Sequence, residues 1–204
     1  MTRSNERLEM FSDGVFAIAV TLLILDLKVP VLESVHSNKD VWQDLGRKWP
    51  AFFALALSFL IIFISWIGHH NLLLLLDKTS PRFQFANGFF LLTVIFIPYP
   101  TAFMAEYLNT PYAQPAIVFY CLSSIFHNVG WIVLHRYILK PKSLLKDSVD
   151  PAYVKQIAKG SNYGFFIYLA LAIMAWWLPY IAIMLSVLIW IYWIYLSVSI
   201  KKFL

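Results

Sequence analysis

Charged positions cut this chain into long apolar runs. No Asp, Glu, Lys or Arg occurs from Trp49 to Leu76, Phe83 to Ala105, Tyr107 to Leu134, or Gly160 to Ile200. A helix needs about 20 predominantly apolar residues to cross the hydrocarbon of a bilayer, and every run meets that length. The last run, at 41 residues, is about twice too long for one crossing helix, and Pro179 in Trp-Leu-Pro-Tyr supplies a break. A further hydrophobic helix lies between Arg7 and Pro30, its uncharged stretch running only from Gly14 to Leu25 between Asp13 and Asp26. That stretch is too short to cross lipid alone, and an ionised carboxylate in hydrocarbon is costly. The segment therefore belongs among other helices or against water, at the centre of an assembly. The pattern predicts an all-α integral membrane protein with six transmembrane helices, near residues 8–27, 50–76, 83–107, 113–136, 162–178 and 180–200, in one domain over 1–204.

Local signals refine these spans. Ser37-Asn38-Lys39-Asp40 ahead of Val41 and Trp42 reads as a capping box, which starts the second helix outside the membrane. Pro98 and Pro100 in Ile-Pro-Tyr-Pro-Thr interrupt the third helix in its outer half and free backbone carbonyls that need new partners. Gly160-Ser-Asn-Tyr-Gly164 has small-xxx-small spacing, but at an expected helix start it is weak grounds for helix pairing.

Composition agrees with the membrane reading. At 60% hydrophobic, 18% aromatic and 13% charged residues, the chain is too apolar for an ordinary soluble domain. With the expected spans, the amino end, second loop, fourth loop and carboxyl end share one side and hold 12 of the 16 Lys and Arg, leaving 4 in the first loop. Positive charge collects on the cytoplasmic side, so both termini are expected there, in a multi-pass protein of the plasma membrane. Arg136, Lys140, Lys142, Lys146, Lys155 and Lys159 flank the membrane, where anionic lipid accounts for the net charge of +5 without nucleic acid as a partner. Cys121 is the only cysteine and sits in an apolar run, so it is expected to pack rather than react. The first hydrophobic run has no small-residue cleavage site after it and is expected to stay in the mature protein. The absence of a phosphate-binding loop, a nucleophile elbow or paired metal ligands argues against an enzyme, and no cofactor or bound metal is expected.

Polar residues recur at one depth. Ser12 and Asp13 lie near the start of the first helix, and His69, His70 and Asn71 near the end of the second, which runs the other way. Asn87 opens the third helix from the same side, and His127 and Asn128 lie about two to three turns before the end of the fourth. Buried donors and acceptors need partners, so one shared hydrogen-bond network across these helices is expected, with Asp13 meeting Trp66, His69, His70 or Asn71. Such a layer serves either as a structural clamp or as a proton relay or metal site. His69 and His70 point about 100° apart, which disfavours joint binding of one ion.

On the first helix itself, at about 100° per residue, Phe11, Leu22 and Leu25 fall within about 40° of Ile18, while Ser12 and Asp13 lie about 120–140° away. One face is an apolar stripe and another carries the clamp. Thr21 borders the stripe with a hydroxyl.

The segment Arg7-x-x-x-Phe11-Ser12-Asp13, continued by Gly-Val-Phe-Ala-Ile-Ala and Thr-Leu-Leu-Ile-Leu-Asp, resembles the signature of the transmembrane protein 175 family of potassium channels. Trp66 and His69-His70-Asn71 resemble that family's partners for the Phe-Ser-Asp element, and the motif occurs once, as in the single-repeat prokaryotic form. The resemblance implies a homotetramer in the membrane, in contact with lipid, with four copies of the first helix around a pore on the four-fold axis and potassium as the permeant ion. It implies that Ile18, Leu22 and Leu25 form the constriction, with Thr21 the nearby side chain offering oxygen. No Thr-Val-Gly-Tyr-Gly filter is present, so potassium would not meet the ring of backbone carbonyls that such a loop provides. Arg7, Phe11, Ser12, Asp13, Trp66, His69, His70 and Asn71 would form the structural signature network. The other reading is a proton-coupled or proton-permeable transporter using Asp13 and the histidines, for which inverted halves or two broken helices would be expected.

Overall fold

The computed structural model describes residues 3–29, 36–139 and 144–199. Lys140 and Lys142, counted above among the membrane-flanking charges, lie outside these residues, as does the part of the first loop over 30–35. The described chain is helical: α1 (Arg3–Leu22), α2 (Asn38–Arg47), α3 (Trp49–Leu74), α4 (Pro81–Phe96), α5 (Pro98–Tyr107), α6 (Ala113–Leu139), α7 (Pro151–Ala175) and α8 (Pro179–Ser199). Among the described residues five stretches are long and apolar enough to cross a membrane, the third being α4 and α5 together, and a shorter apolar helix follows over Pro179–Tyr195. The chain is a multi-pass membrane protein.

The ends of these helices follow from local chemistry. Ser37 Oγ accepts from the Asp40 amide at 3.3 Å, while the Asp40 carboxylate reaches back to the His36 amide at 3.1 Å. The box thus starts a separate amphipathic helix, α2, with no buried residue, and α3 begins afresh at Trp49. Ser80 caps α4 through the Phe83 amide, and Pro81 occupies the first turn, where its missing N–H costs nothing. Pro98 and Pro100 separate α4 from α5. The Ile97 amide turns to the Val94 carbonyl, and the Thr101 hydroxyl donates to the Ile97 carbonyl at 2.8 Å.

Several boundaries differ from the expectation, among them the start of the first helix, at Arg3 rather than near residue 8. The first α-helix ends at Leu22, and residues Leu23–Asp26 form a tighter 3-10 turn rather than a continuation. The fifth membrane helix begins at Pro151, eleven residues before the expected 162, because Asp150 Oδ1 accepts from the Ala152 amide and Pro151 fills the first turn. Lys155 and Lys159 ride on this extension, so a charge-free run marks where lipid can begin, not where a helix does. Gly160 and Gly164 are consequently mid-helix, and a Cβ on Gly164 would lie 2.5 Å from Asn128 Nδ2. That glycine admits α6.

α6 is the central element, packing on α4, α5, α7 and α8, while α1 packs on α3 and α4. At one end, Asn5 Nδ2 donates to the Leu76 carbonyl, and the stretch after α3 pairs with the stretch before α7 through Asp77 N to Leu144 O (2.9 Å) and Lys146 N to Leu75 O (3.0 Å). At the other, Tyr180 Oη donates to the Leu108 carbonyl and Gln114 Nε2 to the Trp176 carbonyl. Phe83, Phe90, Ile62, Met104, Ile117, Leu134 and Val154 form the sealed core, with Cys121 unbonded and buried among it.

Candidate functional site

α1 carries two rows of side chains with opposite fates. Ser12, Phe16, Ala19 and Leu23 follow helical spacing on one face and are buried against α3 and α4. On the opposite face Phe11, Ile18, Leu22 and Leu25 are 62%, 60%, 53% and 71% exposed. A 3-10 turn advances about 120° per residue, so Leu25, three residues past Leu22, stays in the exposed row. Thr21 lies beside it, its hydroxyl bonded back to the Ala17 and Ile18 carbonyls at 3.0 Å.

The buried row is tied to its neighbours by directional bonds. Ser12 Oγ donates to the Leu8 carbonyl at 2.8 Å and accepts from Asn87 Nδ2 at 3.0 Å. Asn87 then presents its amide oxygen to His69 Nε2 at 2.6 Å, and since that oxygen only accepts, Nε2 carries the proton. All three residues are buried, so α1, α4 and α3 are joined through one continuous chain of hydrogen bonds. One turn away, Trp66 Nε1 donates to Asp13 Oδ1 at 2.8 Å. His70 Nδ1 lies 3.0 Å from Glu9 Oε1, and its ring continues a stack of Phe59, Phe63 and Trp66 along α3.

The single network expected across the bundle is divided. His127 meets Ser65 Oγ through Nε2 at 2.9 Å and Thr93 Oγ1 through Nδ1 at 3.1 Å, but no hydrogen bond among the described residues links this group to His69. Phe90 stands between them, stacked on His69 at 5.5 Å and 3° and tilted against His127 at 5.6 Å. Each hydroxyl also lies within bonding distance of a carbonyl, Ser65 of Ile61 at 2.8 Å and Thr93 of Phe90 at 2.7 Å. A neutral imidazole offers one donor and one acceptor, so one hydroxyl gives its proton to the ring and the other to its carbonyl. Either tautomer satisfies the ring.

Among the remaining expected site residues, Arg7 is exposed and makes no hydrogen bond or ion pair with another described residue. Asn71 does not join the Asp13 cluster, because the helix turns it about 100° past His70, and it lines a cavity on the far side of α3. Phe11 lies in the exposed row. Glu9, Ser65 and Thr93 escaped the sequence reading. Glu9 had a signal in its spacing, four residues before Asp13 on the same face, whereas a lone Ser or Thr in an apolar helix ordinarily bonds back to its own carbonyls. No three His, Cys, Asp or Glu among the described residues converge in a way that could hold a metal ion.

The sequence profile of the family described as "Endosomal/lysosomal potassium channel TMEM175" matches residues 7–98, which run from α1 to the first residue of α5 and contain the whole Ser12-Asn87-His69 chain. A protein of Chamaesiphon minutus named as a potassium channel is 36% identical over 186 residues, covering 89% of this chain and 87% of that one. The chain belongs to the TMEM175 family. A crystal structure described as a lysosomal potassium-selective channel TMEM175 homolog from Chamaesiphon minutus superposes with a TM-score of 0.84 at 31% identity, covering 95% of this chain and 97% of that one. TMEM175 of Rattus norvegicus, named as an endosomal/lysosomal proton channel, is 39% identical over 92 residues, which are 41% of this chain and 18% of that protein. Outside the profile match lie α6, α7 and α8, so it takes in Ser65 and Thr93 but not the His127 to which both are bonded.

Proposed function

We propose that this TMEM175-family chain forms a passive potassium-selective channel in which four copies surround a pore lined by the exposed row of α1. The observation that carries the reading is the division of α1: Ile18, Leu22 and Leu25 stand more than half exposed on a helix whose opposite face is clamped by buried hydrogen bonds. A row of branched aliphatic side chains turned away from its own subunit, bordered by one hydroxyl at Thr21, suits a constriction that gates by dewetting. The names of the Chamaesiphon minutus proteins supply the permeant ion.

In this arrangement the chain is a single domain over 1–204 that crosses the membrane six times, α8 being the last crossing. Both termini lie on the cytoplasmic side of the plasma membrane, which the 12-to-4 distribution of Lys and Arg favours. Potassium passes without a cofactor, and Ser12, Asp13, Trp66 and His69 hold α1 in place rather than touching the ion. A second reading, proton permeation along the buried polar groups, is favoured by the name of the Rattus norvegicus relative. Phe90 between the His69 and His127 groups weighs against a continuous relay.

Reconstitution in planar bilayers tests the proposal. With potassium on one side and sodium on the other, discrete openings should reverse toward the potassium equilibrium potential, and Ile18→Asn should let sodium compete by lowering an apolar barrier without adding a size-matched cage. A reversal potential that follows a pH gradient instead would establish the proton reading. Unchanged conductance and selectivity in folded Ile18, Leu22 and Leu25 variants would show that the row is packing.

A further inference from the structure

A second feature lies away from α1. Between α3, α6, α7 and α8 is a cavity of about 170 Å³, to which α1 contributes no residue. Five aromatic side chains, Trp131, Tyr153, Tyr168, Trp190 and Trp193, form much of its wall. Six buried side-chain polar atoms among the described residues have no hydrogen-bond partner, and four of them, Asn128 Oδ1, His135 Nε2, Tyr168 Oη and Trp190 Nε1, belong to residues lining this one cavity. An unpartnered buried polar atom is a rarity that calls for a partner, and Asn128 and His135 bring two to one space.

Asn128 and His135 carry the argument furthest, since Tyr168 and Trp190 each have another polar ring nearby, Trp193 and Tyr120 respectively. Both residues are more than nine-tenths buried. His135 spends Nδ1 on Ser161 Oγ at 3.1 Å and leaves Nε2 open. They stand seven residues apart on α6, hence on one face and about 10 Å apart along the axis. His135 lies at the level of Ser161, in the middle of α7, whereas Asn128 lies against Gly164.

We propose that this cavity binds a slender, neutral, aromatic molecule with a hydrogen-bonding group at each end, one meeting Asn128 and the other His135. Charge is excluded because no Asp, Glu, Lys or Arg lines the space, and a buried ion would be unpaired there. Size follows from volume, since a cavity of about 150 Å³ accepts one benzene ring, so the volume here fits a ring with a short tail. Water alone would leave the aromatic walls wetted.

The full chain in detergent tests this with three probes sharing one ring and a two-carbon tail: 2-(4-hydroxyphenyl)ethanol, 4-ethylphenol and ethylbenzene, with two, one and no polar ends. Thermal unfolding followed by helical circular dichroism should rise saturably with each, and affinity should fall in that order, by at least tenfold from first to last. Asn128→Leu removes an unpartnered buried atom, so it should fold at least as well as the parent, yet lose at least tenfold in affinity for the two-ended probe and none for ethylbenzene. Gly160→Leu should abolish all three, since a Cβ there meets only Trp193 at 3.9 Å and the longer side chain grows into the cavity. Non-saturable rises, equal affinity for ethylbenzene, or indifference to Asn128→Leu would each overturn the proposal. None of these readouts involves ion flux, so they stand or fall apart from the channel reading.

Discussion

Asn87 is the most exposing place to perturb the α1 clamp, because it alone touches both other helices. Asn87→Leu keeps the volume but removes the acceptor of His69 Nε2–H and the donor to Ser12. Ser12 keeps its bond to the Leu8 carbonyl and is left without an orphan donor, so the cost concentrates on His69. A buried donor stripped of its acceptor costs about 1–3 kcal/mol, whereas interhelical side-chain hydrogen bonds in membranes average about 0.6 and reach about 1.7 kcal/mol. The orphan is therefore the larger effect. At about 2–4 °C per kcal/mol for a chain of this size, Asn87→Leu should lower the midpoint of thermal unfolding by about 2–12 °C. His69→Phe alone orphans the Asn87 oxygen and should also destabilise. The double variant should recover most of the loss, because no polar group remains unpaired and a phenyl ring can take the imidazole's place on Phe90, where the rings lie 3° from parallel. Helical circular dichroism of the four proteins in one detergent gives the cycle. If the double variant loses the sum of the two singles within about 0.5 kcal/mol, the residues are not coupled and the clamp has been misread.

Asp13→Asn preserves an oxygen for Trp66 Nε1 and should keep assembly on size exclusion, whereas Asp13→Ala leaves that donor without its acceptor, at a cost of about 1–3 kcal/mol, and should shift the profile toward smaller species. A stable Asp13→Ala assembly with altered ion selectivity would instead put Asp13 in the pore. Gly130→Ala places a Cβ 2.8 Å from Thr93 Oγ1 and 3.3 Å from the Phe90 ring, so it should push Thr93 off His127 and cost about 1–3 kcal/mol in thermal unfolding. Adding Thr93→Ala should recover part of that loss, and a silent Gly130→Ala would refute the close packing of α4 on α6.

The membrane helices were legible because charge is so sparse. Runs bounded by Asp77, Arg82 and Glu106 locate α3 and the α4–α5 pair closely, and the prolines at 98, 100 and 179 fall where helices break. The start of α7 was not, since an amphipathic extension carrying Lys155 and Lys159 reads as a loop when charge alone is the guide. Depth placed Ser12, His69 and Asn87 together correctly because residues level in a bundle meet when they face inward. Depth says nothing about angle between helices, so the sequence groups Asn71 with Asp13 although it lines the cavity between α3, α6, α7 and α8. The division of the polar layer was invisible for a different reason. It is made by Phe90, an apolar residue in an apolar helix, and nothing in a sequence marks one phenylalanine as a partition.

The two rows of α1 tie the candidate pore to the clamp in an uneven way. Among the described residues, directional bonds to the rest of the chain act on its first half, at Asn5, Glu9, Ser12 and Asp13, and fix how that half is rotated against α3 and α4. Beyond them the buried row continues as Phe16, Ala19 and Leu23, which pack without a hydrogen bond from any of their side chains. Apolar contact has no preferred direction, so it resists separation of the helices more than it resists small rotation or sliding. Ile18, Leu22 and Leu25 all lie on this second half, and Leu25 sits on the 3-10 turn that replaces the last helical turn. A ring that widens or wets needs side chains whose backbone can turn by small amounts while the subunit stays anchored, and α1 supplies both properties in order along its length.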